Sequence, residues 1–190
     1  MEAKNILNVT TRVGFREWLE NNHDKEKDCW LVIKRGKNPP SDCVWYPDAV
    51  EEAICFGWID ATLKNIDGRS VQRFMPRSLS SGWTELNKER ARRMERLGLM
   101  TEDGRKVLPD MSEDAFSIDS EILSAFQGNP VAWENFLSFP PLYQKIRIDS
   151  IQYYKKDRAL FERRLKKLIE KSEKGEMFGE WNDRGRLIES

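Results

Sequence analysis

The sequence has one histidine and three cysteines in 190 residues, no net formal charge, and no long hydrophobic run. Cys29, Cys43 and Cys55 form no C-x-x-C pair, and His23 sits where a helix ends, so the ligand spacing of a zinc site is missing. An odd number of thiols without such spacing reads as small buried hydrophobes in a reducing compartment, with Cys55, just before Gly57-Trp58-Ile59-Asp60, the one placed to be reactive. One histidine and no G-x-S-x-G elbow leave a Ser-His-Asp or Cys-His mechanism without support. G-x-G-x-x-G, P-loop, H-E-x-x-H and EF-hand patterns are all missing, so no cofactor and no metal is expected. The longest apolar stretch, Ala53 to Ile59, falls far short of the roughly 20 residues that cross a bilayer. Met1 to Asn5 shows neither a basic n-region nor an apolar h-region, and the expected location is cytoplasmic.

What is present is aromatic and charged: 7 Trp, 9 Phe and 4 Tyr, with 34% Asp, Glu, Lys and Arg. Side chains of that bulk supply a core that a disordered chain would lack. Phe15, Trp18 and Leu19 recur at helical spacing within residues 12–22, and Cys29-Trp30-Leu31-Val32-Ile33 reads as a strand ended by Arg35-Gly36-Lys37-Asn38-Pro39-Pro40. Tyr46-Pro47-Asp48 opens a helix with Ala49, Val50, Ala53 and Ile54 on one face, stopped by Gly57. Asp67-Gly68 between two strand-like runs is a type I′ hairpin signal. Helices follow: one capped by Thr84, a short one after Thr101, then Ser117 to Phe126, Val131 to Leu137 behind Asn129-Pro130, Pro140-Pro141 to about Tyr154, and a last one from Asp157. Residues 107–116 read as a loop, and Phe178, Trp181 and Leu187 predict a tail that docks. The fold class expected is α+β: a small antiparallel sheet with a β-hairpin packed by helices over residues 1–106, and a helical C-terminal region, 107–190, packed on it.

A two-residue loop at Asp67-Gly68 pairs Ile66 with Arg69, Thr62 with Arg73 and Asp60 with Met75. Asp60 and Arg73 then become diagonal neighbours. Alternation places Trp58, Asp60, Thr62 and Lys64 on an open face, with Ile59, Ala61, Leu63 and Phe74 turned into the core.

Charge is patterned although it sums to zero. From Arg69 to Arg96 there are eight basic residues against three acidic, from Glu102 to Glu121 seven acidic against two basic, and from Lys145 to Lys174 eleven basic against five acidic. Solvated helix faces whose blocks partly pair are one reading, with Glu89 and Arg93 already at i,i+4. The other is an anion site, because Arg73, Arg77, Lys88 and Arg90 are interleaved with Phe74, Trp83 and Asn87. A pI of 6.6 disfavours a full nucleic-acid reader.

The segments F-R-E-W-L (15–19), W-L-V-I (30–33), A-I-C-F-G-W-I-D (53–60), Q-R-F-M-P-R (72–77), S-G-W-T-E-L-N-K-E-R (81–90) and G-L-M-T-E-D-G (98–104) resemble the YdeI/OmpD-associated, or bacteriocin-protection, family. The resemblance runs from Phe15 to about Lys106, and Pro130 to Phe136 look like the family's C-terminal part. Where members commonly carry an A-K-R-P-E-T-R-like segment this chain has Tyr154 to Leu160, and Leu99 stands where many have a basic residue. The resemblance implies bacteriocin protection, stress resistance or an envelope-linked role, and no particular reaction.

The candidate site therefore gathers Trp58, Arg73, Arg77, Trp83, Asn87 and Arg90 as ligand-binding residues and Asp60 as an acid/base. Three functions remain open on these residues. One is a protection protein binding a small anionic ligand or a protein partner. The second is a small hydrolase or isomerase using Asp60, and the third is single-strand nucleic-acid binding by the basic blocks.

Overall fold

The structure, a computed structural model, describes residues 3–188, the side chain of Glu113 excepted. The fold is α+β. Thr11 caps α1 (Arg12–Asn22) by accepting from the Gly14 N–H, and β1 (Cys29–Lys34) follows. A two-residue strand β2 (Val44–Trp45) leads directly into α2 (Tyr46–Cys55), whose Pro47 occupies the first turn. Gly57, at φ +72°, turns the chain into β3 (Trp58–Ile66), and Asp67 and Gly68, both at positive φ, turn it into β4 (Arg69–Pro76). The sheet order is β2-β1-β4-β3. It is mixed rather than wholly antiparallel, since β2 runs parallel to β1.

Ile66 pairs with Arg69 as the turn requires, but the register shifts between Asp60 and Leu63. Leu63 faces Gln72 and Asp60 faces Phe74, so Ala61 and Thr62 together oppose Arg73. This bulge overturns the expected pairs Thr62–Arg73 and Asp60–Met75. It also overturns the expected faces, because residues directly opposite share one face of the sheet. Phe74 is buried against Phe15, so Asp60 lies on the helix-covered side. Trp58, expected on the open face, is buried at 1% exposure and packs edge-on against Trp18 at 5.7 Å. Leu63, expected inside, is 46% exposed.

Further helices are α3 (Glu85–Arg96), α4 (Glu102–Arg105), α5 (Ser120–Gln127), α6 (Pro130–Ser138), α7 (Pro141–Gln152) and α8 (Arg158–Glu173), with one 3₁₀ turn at Glu113–Ala115. The Asn87 N–H donates to Thr84 Oγ1 and the Glu85 N–H to Asp149 Oδ2, satisfying donors that a helix start leaves open. The chain divides into two compact units: 1–82 with 90–109, and 83–89 with 110–190.

In the first unit, α1 and α2 bury Phe15, Leu19, Val50 and Ile54 with the sheet residues Leu31 and Phe74. An ionic cluster sits among its helices. Glu51, fully buried, accepts from Arg12 at 2.8 Å and from Arg93 at 2.9 Å, and Glu52 accepts from Arg12 at 2.5 Å and Arg16 at 2.8 Å. Arg93 thus reaches Glu51 on another helix. In the second unit, Ile122, Phe126, Phe136, Tyr143, Phe161 and Leu168 form the core. The tail docks there: Phe178 and Trp181 pack against this core, and Leu187 is buried. Residues 189 and 190 of the expected docked tail lie outside the described residues. Among the described residues no helix is long and apolar enough to cross a membrane.

Candidate functional site

The ends of β1 and β4, the first turn of α2 and the bulged stretch of β3 bring polar side chains together in the first unit. The Tyr46 hydroxyl donates to Asp60 Oδ2 at 2.7 Å. The Arg35 guanidinium lies 3.7 Å from the centre of the Tyr46 ring, and its Nη2 donates to Gln72 Oε1 at 3.1 Å. Gln72 is buried on β4, and Trp45 Nε1 donates to the Gly36 carbonyl, fixing the turn that carries Arg35. Arg77 follows Pro76. Its backbone N–H donates to the Gly57 carbonyl at 2.9 Å and its Nη1 to the Gly82 carbonyl at 2.9 Å. Arg77 and Arg90 are both buried, at 6% and 5% exposure.

The electrostatics follow from burial and from these neighbours. Burial, with the charge and hydrogen bond of Asp60, pushes the Tyr46 phenol up to about 12, while the positive charges of Arg35 and Arg90 act in the opposite direction. Burial lowers Arg77 to about 10, opposed by the charge of Asp60. Tyr46 therefore stays a hydrogen-bond donor at neutral pH, and Arg77 remains a cation whose water has been largely removed. A poorly hydrated guanidinium is a strong donor to oxyanions, and here the Asp60 carboxylate supplies part of the negative charge that Arg77 meets.

Of the residues expected to form the site, Asp60 bonds to Tyr46, Arg90 acts on Tyr46 through its charge, and Asp60 acts on Arg77 in the same way. Trp58 and Arg73 stand apart from them. The Trp58 indole is core and donates to the His23 carbonyl at 3.1 Å, and Arg73 Nε donates to Asp28 Oδ2 at 2.8 Å rather than to Asp60. The cause is again the bulge, which takes Arg73 to the opposite side of the sheet from Asp60. Trp83 and Asn87, both half-buried, belong to the second unit. Tyr46, Arg35 and Gln72 escaped the sequence reading, in which Tyr46 served only as a helix start. The available signal was a phenol placed immediately before a helix-opening proline, at a junction where strand hands over to helix.

The cysteines are free and buried. Burial and the charge of Glu52 push Cys55 up to about 12, and burial raises Cys29 further, so neither is a poised thiolate. Both ring nitrogens of His23 face oxygen atoms, Leu19 O at 2.8 Å and Asp103 Oδ2 at 3.0 Å, which fixes the ring at the end of α1. Among the described residues no group of three or more His, Cys, Asp or Glu side chains could hold a metal ion.

The basic blocks are partly paired. In the second unit, Asp119 binds Lys155, Glu121 binds Arg158, and Lys171 binds Glu176.

An α+β unit with an arginine-flanked Tyr–Asp pair, joined in sequence to a helical unit with its own core, is the class of protein these features define. The chain belongs to the family described as Domain of unknown function (DUF8412), whose model matches residues 7–107. Residues 115–175 match the family described as Bacteriocin-protection, YdeI or OmpD-Associated. The second match is the family that the motifs suggested, although it falls on the helical part, whereas the motif residues 15–104 lie in the first match. No curated protein and no solved structure matches the chain.

Proposed function

We propose that the chain is a bacteriocin-protection or stress-resistance protein that acts by binding, with a small carboxylate or phosphate held beside Tyr46 and Asp60 by Arg35, Arg77 and Arg90. One observation carries the reading: the Arg35 guanidinium stacks on the Tyr46 ring whose hydroxyl holds Asp60, and the charges of the buried Arg90 and Arg77 act on Tyr46 and with Asp60 respectively. The match at residues 115–175 supports the protection role. Free cysteines suit a reducing compartment, and a cytoplasmic location is part of the proposal.

The test is a thermal-shift titration of the full chain with citrate and with inorganic phosphate at constant ionic strength, alongside Arg35→Gln and Arg73→Gln. A saturating ligand at about 100 times its Kd adds about 2.7 kcal/mol. Loss of the shift in Arg35→Gln with retention in Arg73→Gln supports the site; equal shifts in both variants reject it.

A second reading is favoured by the 2.7 Å Tyr46–Asp60 hydrogen bond, which orients a carboxylate as an acid/base group of a small hydrolase or isomerase would be oriented. Asp60→Asn that folds normally but loses turnover would support it, and full activity in that variant would reject it.

A further inference from the structure

In the second unit, α7, α8 and the segment after Gly175 enclose a cavity of about 340 Å³. Arg147 and Ser150 come from α7, Arg164 and Lys167 from α8, and Phe178 and Gly179 from the following segment. Three cations line it, with no carboxylate among its lining residues. Of the two acids adjacent in sequence to lining residues, Glu180 pairs with Arg184 at 3.0 Å and Asp149 accepts from the Glu85 N–H.

Arg147 shows how this space is built. Its Nη2 donates to the Glu180 carbonyl at 2.8 Å, and its guanidinium lies over the rings of Tyr143 and Phe178, at 5.3 and 5.0 Å. Its Nε is buried with no hydrogen-bond partner. Burial lowers its pKa, with Tyr143 and the charge of Glu180 opposing the shift and the positive charge of Arg164 adding to it. Lys167 Nζ lies over the same Phe178 ring at 4.8 Å, while Arg164 stacks on Tyr154 and donates to the Ser150 carbonyl. Gly179 sits at φ +69°, a conformation that favours glycine, and an added Cβ would stand 3.0 Å from Arg147 Nη2, so the segment lies close to the guanidinium.

Of the basic residues in this stretch, Lys155, Arg158, Lys166 and Lys171 have found carboxylates. Arg147, Arg164 and Lys167 have no ion-pair partner among the described residues, and unlike the other unpaired ones, Lys145, Lys156, Arg163 and Lys174, they line one cavity. The charge of Glu180 offsets part of that of Arg147, yet a guanidinium that is desolvated and short of a hydrogen bond, beside a second one, favours an anion that joins them.

We propose that this cavity binds a phosphomonoester, its phosphate among Arg147, Arg164 and Lys167 and its organic part against Phe178. A dianion matches three monovalent cations better than a single carboxylate does. The volume lies within the range of small-molecule sites, about 300–1,000 Å³, and leaves room for a sugar-sized group. This site shares no residue with the Tyr46–Asp60 cluster and does not depend on it.

The experiment is isothermal titration calorimetry of the full chain with glucose 6-phosphate, inorganic phosphate and glucose, at constant ionic strength. Variants are Arg164→Gln, Lys167→Gln, their double and, as control, Lys27→Gln, an exposed lysine of the first unit. The proposal expects glucose 6-phosphate to bind, glucose not to bind, and affinity to fall at least tenfold in the double variant but to stay unchanged in Lys27→Gln. Thermal melts check folding, and Lys167→Gln, changed at an exposed position, decides alone if the double variant unfolds, with a measurable loss expected. The proposal is overturned if no phosphate binds at millimolar concentration, or if the α8 variants bind as the unaltered chain does. It is equally overturned if Lys27→Gln loses affinity as the α8 variants do, or if a single-stranded oligonucleotide displaces the sugar phosphate at far lower concentration.

Discussion

The Tyr46 hydroxyl, on the first residue of α2, donates a 2.7 Å hydrogen bond to Oδ2 of Asp60, two residues into β3 and at the edge of its bulge. The bond ties helix to sheet at the point where the bulge has turned Asp60 toward the helices. A straight hairpin would have pointed the carboxylate away and left Tyr46 with no acceptor there.

The phenol of Tyr46 accordingly ionises near 12, against 10 for an ordinary tyrosine. Because the folded value lies above the unfolded one, the stabilisation is complete below pH 10 and is lost as pH rises toward 12, on the order of 2 kcal/mol in all. Ultraviolet titration of phenolate, with Tyr46→Phe subtracted, measures it. The Asp60→Asn variant should bring the value down, since it removes a raising charge while keeping an oxygen acceptor. An unchanged curve would show that Asp60 is not what holds the phenol protonated.

Two glycines in the first unit sit where side chains have no room. An added Cβ on Gly104 would lie 2.3 Å from the Cys55 carbonyl oxygen, and one on Gly57, already at φ +72°, 2.8 Å from the Asp103 carbonyl oxygen. Both obstacles are backbone and cannot swing aside. Gly104→Ala and Gly57→Ala should each cost about 1–3 kcal/mol or more, whereas Gly82→Ala, with nothing within 4 Å, should change little. Urea denaturation at neutral pH compares the three.

The limits of the sequence are seen in the same hairpin. Asp67 and Gly68 announced the turn because type I′ geometry demands residues tolerant of positive φ, and both adopt it. The bulge at Ala61 and Thr62 announced nothing, since one extra residue in a strand needs neither glycine nor proline. That slip exchanged the faces of Trp58 and Leu63 and sent Arg73 to Asp28. β2 was equally silent, being two residues long with no period to detect. Helix starts were legible where Thr84, Thr101, Asn129 and Asp157 offer side-chain caps. Arg77 and Arg90 could be named from their proximity in sequence to the hairpin, but Arg35 and Tyr46 reach the cluster through tertiary contacts that no local pattern records.

Thiol chemistry gives a separate check. Cys55 is pushed up to about 12 and Cys29 higher still, chiefly by burial, so neither offers thiolate at neutral pH. An aromatic disulfide reagent should label Cys29 and Cys55 only at the rate at which the fold opens, and all three cysteines quickly in 6 M guanidinium. Rapid native labelling of Cys55, located by mass spectrometry, would overturn the assignment of that thiol as a packed, unreactive side chain.

The buried ionic cluster sets the largest expected loss. Glu51 is fully buried and holds both Arg12 and Arg93, so Glu51→Gln would take a carboxylate from Arg93 and one of three from Arg12, which keeps Asp48 and Glu52, and would set an uncharged amide in a buried position between them. Removing one partner of such a group costs about 3–5 kcal/mol. For a chain of this size that lowers Tm by about 6–20 °C, at roughly 2–4 °C per kcal/mol. Glu95 also pairs with an arginine, Arg105, but both are more than a third exposed, and exposed pairs contribute about 0–1 kcal/mol. Glu95→Gln should therefore lower Tm by no more than about 4 °C, and its small effect should shrink further in 0.5 M salt, while that of Glu51→Gln should persist because buried charges are poorly screened. Calorimetric melts of the two variants at low and high salt measure the contrast, and equal losses would mean that the Glu51 cluster is solvated rather than sealed.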